Sequence, residues 1–259
     1  YGMLPTPPLG AEPPAPEDPG PGALLRFRAL KLFADGALGS RGAALLAPYS
    51  DDPGNTGLLA TPEPELRRLV AAAAKRGLQT CVHAIGDRAN RLMLDAYEQA
   101  LTPADRKSLR PRIEHAQVLA PADLPRFAAL GVLASMQPTH LTSDMDWAPR
   151  RLGPERTKGA YAFATLLSSG ARVSFGSDFP VEPPAPLAGL FAALTSVPPA
   201  APDSAPLRPD QRLDFAKALA AFTHEAAYAA FEENVRGRLA PGFLADITVL
   251  DRDIAALPP

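Results

Sequence analysis

Three short β-rich runs in this chain each end on a side chain able to ligate a metal, and that repetition constrains the fold more than any other feature. They are Cys81-Val82-His83-Ala84-Ile85-Gly86-Asp87, Arg112-Ile113-Glu114-His115-Ala116-Gln117, and Arg172-Val173-Ser174-Phe175-Gly176-Ser177-Asp178-Phe179-Pro180. A helical segment separates each run from the next strand, the pattern of consecutive βα units in a parallel barrel. In such barrels the chemistry sits at the C-terminal strand ends, so His83, His115 and Asp178 are expected to converge on one point. Alternation along the second of these runs places Glu114 on the face opposite His115, outside that point.

In chain order, residues 1–23 are dominated by Pro, Gly, Ala and acidic side chains and read as an extended loop or linker. A first strand over 24–34 carries Lys31 into Asp35-Gly36 and a glycine-rich loop over 36–42. That loop lacks the Gly-Lys-Ser/Thr ending of a phosphate loop. A helix from about 62 ends before Gly77, a strand spans 79–84, and a helix follows over 88–101. The His115 strand, a helix over 122–130 and a strand over 132–136 come next, then a long loop from Gln137 through Trp147 to Arg151. Loops of that length usually cover a site. Helices over 155–169 and 210–230, the latter broken near Thr223, flank the Asp178 strand, and a last strand is expected at 245–250. The count is five barrel-type strands and one outlying strand, whereas the closed (β/α)8 architecture has eight. The chain reads as strands 4 to 8 of an α/β barrel with the earlier strands upstream. The expected division is 1–23 linker, 24–235 barrel and 236–259 return into a small β-sandwich.

Lys31-Leu32-Phe33-Ala34-Asp35-Gly36-Ala37-Leu38-Gly39-Ser40-Arg41-Gly42, the runs around His83 and His115, Ser135-Met136-Gln137-Pro138-Thr139-His140, and Gly176-Ser177-Asp178-Phe179-Pro180-Val181 together resemble the metal-dependent amidohydrolase superfamily. The branch they are most similar to contains the N-substituted formamide deformylases. The segment from Gly237 to Ile247 resembles that family's return into a β-sandwich. The resemblance implies that His83, His115 and Asp178 are metal ligands of the fifth, sixth and eighth barrel strands. It places Lys31 at the fourth-strand position, where a CO₂-modified lysine can bridge two ions. One departure is large. The family's first strand bears a His-x-His pair, and the four histidines here stand at 83, 115, 140 and 224.

The residues alone point the same way. Two imidazoles with carboxylate oxygens suit zinc or another divalent ion, which activates water near neutral pH and polarises a carbonyl. Asp178 could carry a proton from that water to a leaving nitrogen, and His140 could hydrogen-bond substrate or a developing oxyanion. Gln137, Trp147 and Arg151 are the candidates for substrate contact. Each has a plainer alternative: His140 as a loop residue, Lys31 as a solvated strand residue, Arg151 as a surface arginine, His224 as a structural helix residue. The expected function is hydrolysis of a non-peptide C–N bond such as an amide or formamide. The alternatives are an inactive amidohydrolase-like fragment and the same fold acting on an ester or lactone.

Composition enters as a bound. Net charge −2 leaves no basic footprint for nucleic acid, and no apolar run approaches a membrane span. One cysteine excludes an internal disulfide framework and favours a cytoplasmic compartment. The expected partner is a small-molecule substrate. Half a barrel would expose sheet edges and apolar surface, so self-association into a homo-oligomer is one way of covering them.

Overall fold

The computed structural model describes residues 1–17, 20 and 25–256. Parts of the expected linker, Leu24 at the start of the expected first strand, and residues 257–259 lie outside the described residues. The described residues form a parallel six-stranded sheet in chain order: β1 (Gly2–Leu4), β2 (Phe27–Phe33), β3 (Gln79–Ala84), β4 (Arg112–His115), β5 (Leu133–Met136) and β6 (Val173–Phe175). Helices make the crossovers. α1 (Glu63–Lys75) precedes β3; α2 (Asp87–Ala100) and α3 (Pro103–Leu109) precede β4; α4 (Leu124–Leu130) precedes β5. Before β6 come α5 (Pro138–Asp144), α6 (Ala148–Thr157) and α7 (Phe163–Ser168), and after it α8 (Pro186–Thr195), α9 (Phe215–Phe222) and α10 (His224–Ala229).

Four sequence expectations need correction. The loop expected through residue 23 begins with β1, which pairs with β2 from Gly2↔Phe27 to Leu4↔Leu30. Gly2 admits this approach, because a Cβ there would meet the Phe27 ring at 2.5 Å, and Leu4 joins the core. The long loop after β5 holds α5 and the start of α6. Pro138 and Pro149 stand in the first turns of these two helices, where a missing N–H costs nothing. The helix expected over 155–169 is divided, with Tyr161 at φ 52 and its N–H donated to the Gln117 carbonyl. Residues 245–250 form no strand; Ile247 and Val249 are exposed, and the described residues hold no second sheet for them to join. The break near Thr223 is present, between α9 and α10.

Strand register sorts every side chain to one of two faces. Leu32, Val82, Ile113, Ala134 and Val173 are paired across the sheet and lie in the hydrophobic core beneath the helices. α1 turns Leu66, Leu69, Val70 and Ala73 onto that face. The opposite face is polar: Phe33, His83, Glu114, Ser135 and Ser174 form one row, with Lys31, Cys81, Arg112 and Leu133 in the row one layer down. A barrel interior is normally filled by branched apolar side chains, so this row marks where the fold departs from simple packing. Outside it, stability follows ordinary helix chemistry. Asp214 caps α9 by accepting from the Lys217 N–H at 2.8 Å, and Asp214→Ala is expected to cost about 1 kcal/mol in urea denaturation.

Candidate metal centre

The centre lies where β3, β4, β5 and β6 end. β3 delivers His83 directly. Its ring meets the His115 ring edge-on at 4.6 Å between centroids. The Nε2 of His83 stands 3.5 Å from the Gly36 carbonyl and 3.6 Å from Asp35 Oδ1. Asp35 is itself buried and accepts from the N–H groups of Ala44, Ile85 and Gly86 at 2.8–2.9 Å. Burial pushes its carboxyl up to about 7 against those hydrogen bonds. Asp35 thus ties the glycine-rich loop to the His83 turn.

His115 reaches the same point by a different route. Glu114, not His115, shares the interior row with His83, which corrects the alternation argument. Regular alternation fails one residue later: His115 and Ala116 both take positive φ, 76° and 43°. Two non-glycine residues in the left-handed region are uncommon and strained, and here they occur where the strand delivers the imidazole to the site. Its Nδ1 pairs with Gln137 Oε1 at 2.9 Å, which fixes Nδ1 as the donor and leaves Nε2 as the free lone pair.

α5 supplies His140, stacked on His115 at 5.8 Å between centroids. The Nε2 of His140 is buried without a hydrogen bond and lies 3.9 Å from Asp178 Oδ2. Asp178, at φ 57, follows β6. Ligand atoms of His115, His140 and Asp178 fall within 4.8 Å of one another. Burial lowers all three imidazoles: His83 to about 3, with His115 adding to the effect, His115 to about 4, with His140 adding to it, and His140 against the opposing charges of Asp178 and Glu182. They are neutral at physiological pH, the form that binds metal. An orphaned buried nitrogen, two further imidazoles and a carboxylate in one place fit a divalent cation.

The remaining expected site residues are placed differently. Lys31 projects from the interior face with Nζ 4.9 Å from the Phe33 ring centroid. Burial lowers its pKa while Glu114 opposes the shift. Gln137, expected on substrate, is buried and engaged with His115. Arg151, expected at the mouth, is held by Asp51, which also pairs with Arg41 at 3.1 Å, and by the Gly39 carbonyl at 3.3 Å. Trp147 closes over the same loop, so near that a Cβ on Gly39 would meet its ring at 3.3 Å. Both residues brace the glycine-rich loop. His224 pairs with Arg238 at the start of α10.

Sequence reasoning set Glu114 outside the site, gave Asp35 no role beside His83, and missed the buried group of Asp144, Gln117 and Tyr161. Asp144 Oδ2 accepts from Tyr161 Oη at 2.6 Å and Gln117 Nε2 at 2.8 Å. Desolvation raises its pKa to about 6, partly offset by those bonds. An unfolded Asp ionises near 4, so between about pH 4 and pH 6 the folded chain binds the extra proton and stability falls as pH rises. Asp144→Asn is therefore expected to gain stability relative to the parent on going from pH 4 to pH 7, by roughly 1–3 kcal/mol. Thermal melts of both proteins across that range check it; parallel curves would exclude the linkage.

A family model described as the amidohydrolase family matches residues 9–259. The protein LONG AFTER FAR-RED 3 of Arabidopsis thaliana is 43% identical over 222 residues, covering 85% of this chain and 38% of that protein. An N-substituted formamide deformylase of Arthrobacter pascens is 28% identical over 235 residues, covering 89% of this chain and 42% of the relative. The crystal structure of an uncharacterized metal-dependent hydrolase from Pyrococcus furiosus superposes with a TM-score of 0.79 at 36% identity, over 92% of this chain and 47% of that one. The chain thus spans less than half the length of each of these three proteins.

Proposed function

Because this chain belongs to the amidohydrolase family, we propose that it works as a metal-dependent hydrolase of a non-peptide carbon–nitrogen bond, an amide or formamide. The observation that carries this reading is the convergence of His115, His140 and Asp178 ligand atoms within 4.8 Å, with His83 alongside. The name of the Arthrobacter relative supports the formamide end of the range. His115 and Asp178, completed by His83 beside them, would hold the cation, leaving His140 of the same group free for substrate, with zinc the first choice for two or more imidazoles and one carboxylate. Lys31 would bridge a second ion as a carbamate, a role its burial favours by stabilising the neutral amine.

A divalent ion in this centre supplies Lewis acidity toward a carbonyl and acidifies water. The chain's own groups do the rest. Asp178 accepts the proton that water gives up on attacking the carbonyl and returns it to the departing nitrogen, without which an amine leaves poorly. His140, stacked on His115, donates to the oxygen on which charge develops. Gln137 keeps His115 in the tautomer that presents Nε2 to the centre.

The test is zinc stoichiometry by elemental analysis together with hydrolysis of an N-substituted formamide, followed as release of formate. Stoichiometric zinc and formate release are expected, both lost with chelation. One observation favours a second reading, metal binding without turnover: the chain contains no His-x-His pair. Tight zinc with no formate release would select it.

A further inference from the structure

The placement of His140 rests on α5, and α5 is short. A helix of seven residues gains little from its own hydrogen bonds, so the elements it is tied to decide where it lies. Both of its ends are tied to the turn after β4. At the start, the Gln137 side chain holds His115 at 2.9 Å. At the end, Asp144 Oδ2 accepts from Gln117 Nε2 at 2.8 Å and from Tyr161 Oη at 2.6 Å. Gln117 stands two residues after His115. Tyr161 is anchored to the same turn: its N–H donates to the Gln117 carbonyl at 2.8 Å, and its φ of 52° is in the strained left-handed region. Such strain persists only where the surroundings over-determine it.

His140 and Asp144 lie four residues apart, on one side of α5. The first stacks on His115 and the second grips Gln117. His140 Nε2 makes no hydrogen bond, so the ring follows its helix. A third tie, from Ser143 Oγ to Glu182 at 2.7 Å, is exposed and competes with water. We propose that Asp144 is a positioning residue: by gripping Gln117 and Tyr161 it holds the far end of α5 against the turn after β4, and thereby keeps His140 stacked on His115. This requires an acceptor and not a charge, because both partners are neutral donors. The inference rests on the proposed role of His140 toward substrate and adds the residue that sets it.

Asp144→Leu removes the acceptor at similar size, and Gln117 Nε2 and Tyr161 Oη, 3.0 Å apart, still pair with each other. Asp144→Asn keeps an acceptor. The first readout is the nuclear Overhauser contact between the His115 and His140 rings in the zinc-loaded chain; the second is formamide hydrolysis. Asp144→Leu is expected to lose the ring contact and to lower kcat by about 100-fold, the scale of a 1 Å misplacement, with KM and zinc stoichiometry close to the parent's. Asp144→Asn should restore both readouts. Tyr161→Phe keeps the Gln117 bond and serves if Asp144→Leu does not fold; it should weaken the ring contact and lower kcat by roughly tenfold. A ring contact intact in folded Asp144→Leu or Tyr161→Phe, or an Asp144→Asn variant no better than Asp144→Leu, would overturn the proposal. The expected pattern of ring contacts in a chain that hydrolyses no formamide would support the clasp and overturn the chemistry instead.

Discussion

Glu114→Ala is expected to destabilise the chain by about 3–5 kcal/mol, although Glu114 stands apart from the metal cluster. Its Oε1 accepts from Arg112 Nε at 2.5 Å, and both residues are 8% exposed. Burial works against the charge on Glu114, and Arg112 overcomes it and holds the carboxyl below its ordinary value. Removing the carboxylate leaves a guanidinium in the barrel interior with Met3 Sδ at 4.0 Å and the Cys81 thiol beside it and its countercharge gone, and an orphaned buried charge costs that much. Replacing both residues, as Arg112→Met with Glu114→Leu, removes the charge together with its partner and should recover most of the loss. Urea denaturation of the three proteins decides it: a double variant as unstable as the single one would show that the pair does more than cancel its own charges.

His115→Ala is expected to lower zinc affinity and any formamide hydrolysis by more than about 100-fold, because groups that merely orient a ligand are already worth 10–100-fold. Gln137→Ala provides that lesser case. It frees the His115 ring from its 2.9 Å partner and should fall within the 10–100-fold range. Competition with a chelator of known affinity measures both without depending on turnover. Unchanged zinc affinity in His115→Ala would remove His115 from the ligand set. Since His115 also sits in a strained turn, a melting curve close to the parent's is needed beside a low affinity.

Several elements were legible because a local pattern carried them. The strands around His83, His115 and Asp178 are short β-rich runs between helices, and period-2 alternation with flanking glycines marks them without any knowledge of neighbours. The five central motifs in order sufficed for the family. By contrast, β1 is three residues long in a proline-rich stretch, and only the face of β2 gives Gly2-Met3-Leu4 a reason to be extended. Pro138 and Pro149 read equally well as loop markers or helix openers until α5 and α6 have something to pack on.

The sequence by itself determined that His83, His115 and Asp178 stand at the same end of one parallel sheet, because chain order and strand polarity leave them no other end. Tertiary structure decided which side chains face inward there. Glu114 occupies the interior row by register, His115 is turned back by two left-handed residues, Gln137 is engaged by His115 and Arg151 by Asp51. A dihedral or a hydrogen bond between residues far apart in the chain depends on what the folded neighbours supply, and no periodicity within one segment records it.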